Sequence, residues 1–236
     1  MKTQCLRWQQ GDAFERREII QRAARALKQG NVVAYPTETV YGLGALGLDE
    51  QAAREIFRIK RRPWDRPLLL AVTGIEMVSE VASVLPDLAR DLMDRFWPGP
   101  LSLVLPRSHR VPDVVTAGGD TVGVRCPAHE AARALLNAVG TPITSPSANI
   151  TGRPSPTDCS AVMAELKGHI SYVIDGGRLE KMEPSTLIDL SGRRPVLLRA
   201  GALDIADVER ITGPLRIEEG EDELNCLLRK RQEEKF

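Results

Sequence analysis

The chain has 236 residues, 42% of them hydrophobic, which suits one large α/β domain or one domain with an appendage and excludes a largely disordered polypeptide. Its 32 basic and 32 acidic residues cancel, so no global field draws it to nucleic acid or a membrane, and a tRNA or duplex RNA contact is neither required nor excluded. The start, MKTQCLRWQQGDAFERRE, lacks a signal-type apolar core and no apolar run reaches the roughly 18 residues of a membrane span, so the expectation is a cytoplasmic protein with no membrane partner.

In chain order, apolar residues at Phe14, Ile19, Ile20, Ala23, Ala24 and Leu27 predict a helix over 14–28 that stops at Gly30. Asn31 to Tyr35 then predicts a strand closed by Pro36, and Thr37, Glu38, Thr39 and Tyr41 place hydroxyls and a carboxylate at its end, where open α/β sheets bind ligands. Gly42-Leu-Gly-Ala-Leu-Gly47 matches GxGxxG formally. It is rejected as a dinucleotide fingerprint because it does not sit directly between strand and helix, and no acidic residue ends a second strand at the required distance. Asp49 caps a helix carrying Ala52, Ala53, Ile56 and Phe57, which delivers Arg58, Lys60, Arg61 and Arg62 at its end.

These cations admit two readings. Cations at a helix C-terminus complement its dipole by about 0.3–1 kcal/mol each, which accounts for one or two on a solvated face. Alternatively, Pro63 biases Arg62 toward extended geometry, so that Lys60 and Arg62 point the same way and converge on an anion, most simply a phosphate.

Further on, Pro67 to Val72 predicts a buried strand, Leu85 to Phe96 a helix halted by Trp97-Pro98-Gly99-Pro100, and Leu101 to Leu105 and Thr121 to Arg125 two strands. Ala128 to Val139 predicts a helix stopped by Gly140, with late strands at 172–174, 186–190 and 195–199 and a closing helix at 206–211. The fold class is α/β, a single-domain twisted mixed sheet with helices packed around it, over residues 1–213. Residues 214–236 form a charged C-terminal tail or a short helix, with Leu224, Leu227 and Leu228 as its only apolar stripe. Cys5, Cys126, Cys159 and Cys226 stand singly with no CxxC pair, against a structural zinc or a disulfide framework, and Cys126 reads as a small core residue.

The proline-rich stretch from Ser145 to Thr157 is an ordered loop by composition, and in extended geometry Ser145, Ser147 and Asn149 share one face suited to a carboxylate, a phosphate oxygen or a ribose. No GxxxxGK[ST] occurs, so any nucleotide is held by side chains and loop amides.

Taken together, PTETVYGLG at 36–44, Lys60 to Pro63, FWPGPLSLVL at 96–105, VGVRCPAH at 122–129, SPSAN at 145–149 with GRPSPT at 152–157, and LLRAG at 197–201 resemble the YrdC-like family of L-threonylcarbamoyladenylate synthases. The resemblance spans about residues 14–210 and implies a YrdC-like fold with a concave, locally positive ligand-binding surface. It implies that L-threonine, bicarbonate and ATP, with Mg²⁺ on the phosphates, yield threonylcarbamoyl-AMP and pyrophosphate. By the same resemblance Lys60 and Arg62 are catalytic and, with Ser147, Asn149, Ser155 and Arg199, hold the nucleotide. Thr37, Arg125 and Ser185 hold the amino acid, Thr121 and Ser145 border both, and no resident metal is implied. Relatives often carry a histidine where this chain has Ala71, and E-S-T where it has Glu183-Pro184-Ser185-Thr186. The chain resembles the short, single-domain form of the family, and that resemblance implies that it supplies its product to a separate tRNA threonylcarbamoyl-transferase complex acting on adenosine 37. The alternatives are an RNA-binding module using Arg58, Lys60, Arg61, Arg62 and Arg66, and a paralogue with a different acyl acceptor.

Overall fold

The computed structural model describes residues 2–180 and 183–217. An edge strand β1 (Gln4–Leu6) leads to α1 (Ala13–Lys28), which starts in a reciprocal capping box between Asp12 and Glu15. Next, β2 (Val33–Pro36) and β3 (Tyr41–Gly44) form an antiparallel hairpin, so the polar residues after Pro36 make a hairpin loop and not the strand-to-helix loop expected. The glycines explain the difference: a Cβ on Gly44 would lie 3.0 Å from Tyr35 Cε1, and one on Gly42 3.1 Å from Tyr35 Cζ. The buried Tyr35 ring lies across two strand residues that composition alone assigns to a turn.

The chain continues through α2 (Glu50–Lys60), β4 (Leu69–Ala71), α3 (Ile75–Val81), α4 (Asp87–Phe96), β5 (Leu101–Pro106), α5 (Asp113–Thr116), β6 (Thr121–Arg125) and α6 (Glu130–Val139). It closes with β7 (Ile143–Thr144), α7 (Cys159–Leu166), β8 (Tyr172–Ile174), β9 (Thr186–Asp189), β10 (Val196–Arg199), α8 (Ile205–Thr212) and β11 (Arg216–Ile217). Helices α3, α5 and α7, of 7, 4 and 8 residues, are too short to display a helical period and were not expected. The caps that sequence supplies are used: Asp49 accepts from Gln51 and Ala52 on α2, and Gly140 closes α6 in the left-handed region.

The architecture is the expected mixed α/β one, and hydrogen bonding divides the strands into two sheets, ordered β1-β8-β2-β3 and β11-β10-β9-β5-β6-β4-β7. The main core includes Leu70, Leu103 and Val124 from the larger sheet with Ile56, Phe57 and Leu92 from α2 and α4, while α1 and α6 pack together with Val33 and Tyr35 of β2. Cys126 joins the main core, as expected. Pro214 does not start a departing tail, because Arg216 and Ile217 pair in parallel with β10. The stripe Leu224, Leu227 and Leu228 lies outside the described residues. Among those described, no helix is long and apolar enough to cross a membrane.

Candidate active site

Two registers set the site. Pairing of β5 with β6 puts Ser102 opposite Arg125, and a register shift in β10 between Leu197 and Arg199 re-aims Arg199 at the start of β9. Together with the hairpin loop, the turn after α2 and the 145–157 loop, these strand ends enclose a cleft of about 260 Å³. The guanidinium-bearing residues Arg62, Arg125 and Arg199 line it, as do the hydroxyl-bearing Thr39, Ser145, Ser147, Ser155 and Ser185, and no lining residue is acidic. Three cations and five hydroxyls converging without a carboxylate make a site for an anion with several oxygens.

The end of α2 does not behave as the Pro63 argument predicts. Arg61 takes the left-handed conformation at φ 50°, and Arg62 N donates back to Phe57 O, so Lys60 is helical and the chain turns sharply before Arg62. The two cations therefore part. Lys60 is 2% exposed and donates to the backbone carbonyls of Ser147 at 2.5 Å and Asn149 at 2.7 Å, with Asn149 Oδ1 at 3.3 Å. Burial first, and then the charge of Arg62, push Lys60 down to about 7, with Glu165 opposing. The three oxygens around Nζ match the three donors of the ammonium form and pull the other way. Half-buried Arg62 reaches the cleft while donating to Arg66 O at 3.0 Å and Pro67 O at 2.9 Å. A solvated Lys60 is thus corrected to a buried one, because loop carbonyls supply the partners that a buried cation needs. Arg58 pairs with Glu55 at 2.7 Å, so the five cations of the RNA-binding reading do not form one free surface.

Arg125, 5% exposed, donates to Thr39 Oγ1 at 3.0 Å and Gly99 O at 3.3 Å, and its Nη2 lies 2.7 Å from Glu38 Oε1. The Glu38 contact is an ion pair out of line for a hydrogen bond: neither of these two buried atoms has a hydrogen-bond partner. Glu38 Oε2 accepts from Ala128 N at 3.0 Å. Thr37 does not line the cleft. Its hydroxyl donates to Val40 O at 2.7 Å and accepts from the amides of Thr39 and Val40, building the hairpin loop that presents Thr39. Ser185 Oγ lies 2.7 Å from buried Ser102 Oγ and 3.2 Å from Arg199 Nη2, while Ser185 O accepts from Arg199 Nε at 2.9 Å.

The 145–157 loop docks on the free edge of β3: Leu43 N donates to Pro146 O, Ala148 N to Tyr41 O and Tyr41 N to Pro156 O. Ser145, Ser147 and Ser155 line the cleft, whereas Asn149 is buried and gives its amide to Arg153 O, so the expected shared face holds for the first two only. Thr121 starts the strand that Arg125 ends, about 13 Å away at a normal strand rise, and does not line the cleft. Of the two departures from the resemblance, Pro184 lines the cleft and Ala71 is buried in the core beneath it. From sequence, Thr39 and Glu38 were noted only among the polar groups at a strand's end, without a role in the site, and Ser102 was not singled out. For Thr39 a signal existed, since a hairpin loop puts its middle residues at the mouth; for Ser102, inside an apolar strand, there was none.

The site and the sheet order define a mixed α/β protein with a cationic anion-binding cleft. Residues 25–201 match the Sua5/YciO/YrdC family model, described as telomere recombination, and the chain belongs to that family. It is 49% identical over 195 residues to the threonylcarbamoyl-AMP synthase of Pyrococcus abyssi, covering 83% of this chain and 57% of that protein. It is 40% identical over 207 residues to the threonylcarbamoyl-AMP synthase of Bacillus subtilis, covering 87% of this chain and 60% of that protein. The P. abyssi Sua5 structure complexed with L-threonine superposes with a TM-score of 0.87 at 44% identity, covering 92% of this chain and 63% of that one. The chain thus spans about three fifths of the length of these relatives.

Proposed function

We propose that this chain forms threonylcarbamoyl-AMP and pyrophosphate from L-threonine, bicarbonate and ATP, for threonylcarbamoyl modification of adenosine 37 in tRNAs. The observation that carries this is the convergence of Arg62, Arg125 and Arg199 on one hydroxyl-lined cleft without a carboxylate, in a chain whose relatives are named for this synthesis. Arg125, with the hydroxyls of Thr39 and Ser185, takes the carboxylate end of the amino acid. Arg62 and Arg199, with Ser147 and Ser155, take the phosphates.

The amine of threonine and bicarbonate give a carbamate, the bicarbonate hydroxyl leaving as water, and one carbamate oxygen attacks the α-phosphorus as pyrophosphate leaves. No protein nucleophile is needed, so the protein acts by alignment and by neutralising charge that grows on the leaving oxygens. Lys60 serves as a positioning residue, fixing the backbone of Ser147 and Asn149 from behind. The lining groups of the cleft are cations and hydroxyls, which fits a Mg²⁺ ion carried on the nucleotide phosphates and not one held by protein carboxylates. The product then passes to a tRNA threonylcarbamoyl-transferase complex.

The test is pyrophosphate release by the purified chain with ATP and bicarbonate across the amino acids. Release dependent on threonine and bicarbonate is expected. No release, together with tRNA binding that weakens steeply with salt, would hand the site to the RNA-binding reading.

A further inference from the structure

Cys5 and Cys159 are 154 positions apart in sequence, yet their Sγ atoms are in contact at 3.0 Å. They differ in setting. Cys5 lies exposed on edge strand β1, whereas Cys159 opens α7 and is 9% exposed. Asp175, just after β8, stands beside the pair, with Oδ2 3.8 Å from Cys5 Sγ and Oδ1 accepting from Gly177 N at 3.0 Å.

We propose that Cys5 and Cys159 form a thiol-oxidation site that closes to an intramolecular disulfide in the folded protein, with Cys5 attacking a hydroperoxide and Cys159 resolving the product. In the first step Cys5 sulfur attacks the peroxide O–O bond and loses its proton, giving a sulfenic acid and, from hydrogen peroxide, one water. In the second, Cys159 sulfur displaces the hydroxyl of that sulfenic acid; the S–S bond forms, and the Cys159 proton leaves with hydroxide as a second water. Two thiols are oxidised by two electrons and one peroxide is reduced by two. An accessible attacker in contact with a sheltered resolver is the arrangement this sequence of steps needs. Burial, then the neighbouring Cys5 and Asp175, push the Cys159 thiol up, which makes it a poor first attacker on a peroxide in solution.

A shared metal is the competing use, since Cys5, Cys159 and Asp175 are the one trio at ligating distance among the described residues. Two thiolates on a tetrahedral zinc at about 2.3 Å each would sit roughly 3.8 Å apart. At 3.0 Å these sulfurs are inside that separation, so a shared zinc would have to push them apart. The link would join β1, at the margin of the smaller sheet, to the first turn of α7, into which the 145–157 loop runs through its cap Asp158.

The experiment exposes the reduced full-length chain to hydrogen peroxide, blocks remaining thiols by alkylation and maps the peptides. A Cys5–Cys159 linked peptide with Cys126 alkylated is expected, and the oxidised chain should melt several degrees above the reduced one because a long loop has been closed. With Cys159→Ser, oxidation should stop at a Cys5 sulfenic acid that dimedone traps. Recovery of Cys5 as sulfinic acid, or joined to Cys226 or to a second chain, while Cys159 is alkylated in the native protein, would overturn the proposal. So would one zinc per chain in the purified protein that shields both thiols from peroxide.

Discussion

Lys60 Nζ lies 2.7 Å from the carbonyl oxygen of Asn149 and 2.5 Å from that of Ser147, so the last side chain of α2 fixes a loop 87 to 89 residues further along the chain. Replacing it with Met keeps most of its volume and removes the donors, leaving two inward-facing carbonyls without that partner. Each unsatisfied buried group costs about 1–3 kcal/mol. Lys60→Met should therefore lose stability of that order in urea unfolding and slow pyrophosphate release as well. A stability within about 0.5 kcal/mol of the parent, the range of ordinary surface changes, would show that Lys60 is not structural.

The same residue gives stability a pH dependence with a definite sign. Lys60 is held near 7 in the folded chain, against an ordinary lysine at 10.5. Between those values the unfolded chain binds more protons than the folded one, so this group makes stability rise with pH from about 7 toward 10.5, with no slope from it below that window. The parent should gain on Lys60→Met across the window in urea melts. Parallel profiles would mean that the surrounding oxygens keep the ammonium form throughout.

Arg62 should behave differently. Half-buried Arg62 reaches the cleft, where water can replace it on the carbonyls of half-buried Arg66 and buried Pro67, so Arg62→Ala should shift the melting temperature little. Loss of an electrostatic donor to a charging leaving group commonly costs about 2.7–4 kcal/mol of barrier, so pyrophosphate release should slow at least about a hundredfold. Activity within a few-fold of the parent would remove Arg62 from the reaction.

Glu38 holds the charge balance of Arg125, with 2.7 Å between Oε1 and Nη2. Glu38→Gln removes the carboxylate charge and leaves the guanidinium buried with neutral partners, which lowers stability and strengthens its pull on an incoming carboxylate. The variant should melt below the parent and gain more than the parent does from added L-threonine in a thermal-shift series. Equal threonine-induced shifts would separate Arg125 from the amino-acid carboxylate.

Gly201 has a steric reason to be glycine. A Cβ there would lie 2.3 Å from Pro184 O and 2.6 Å from both Ser185 C and Thr186 N, all main-chain atoms. Gly201→Ala should displace the segment carrying Ser185 and cost about 1–3 kcal/mol as an overpacked site does. Its effect on catalysis should appear mainly in the KM for substrates. Parent-like unfolding would show that this close approach is relieved at no cost.

Sequence reading succeeded where local chemistry decides. Asp49 as a cap, Gly140 as a stop, and the apolar periods of α1, α2 and α6 are all realised within two residues of the expected bounds. It failed where distant chain supplies the reason. Gly42 and Gly44 are strand residues because of the Tyr35 ring, and Lys60 is buried because the carbonyls of Ser147 and Asn149 receive it. The contact of Cys5 with Cys159 has no local sign at all. Most of the expected site residues do meet in one cleft, but Thr37, Lys60 and Asn149 stand behind its wall and Thr121 lies at the far end of its strand.

The proline-bearing loop has one more consequence through its seat on β3. That strand is the last in its sheet, and the loop satisfies it with the carbonyls of Pro146 and Pro156 and the amide of Ala148, asking neither proline for the N–H it lacks. The segment that lines the cleft is therefore also the cover over a sheet margin. Peeling it back would expose one edge of Tyr41-Gly42-Leu43-Gly44, still paired with β2 on its other side, with peptide groups open to another molecule. Loss of this cover would open that edge to pairing with another chain.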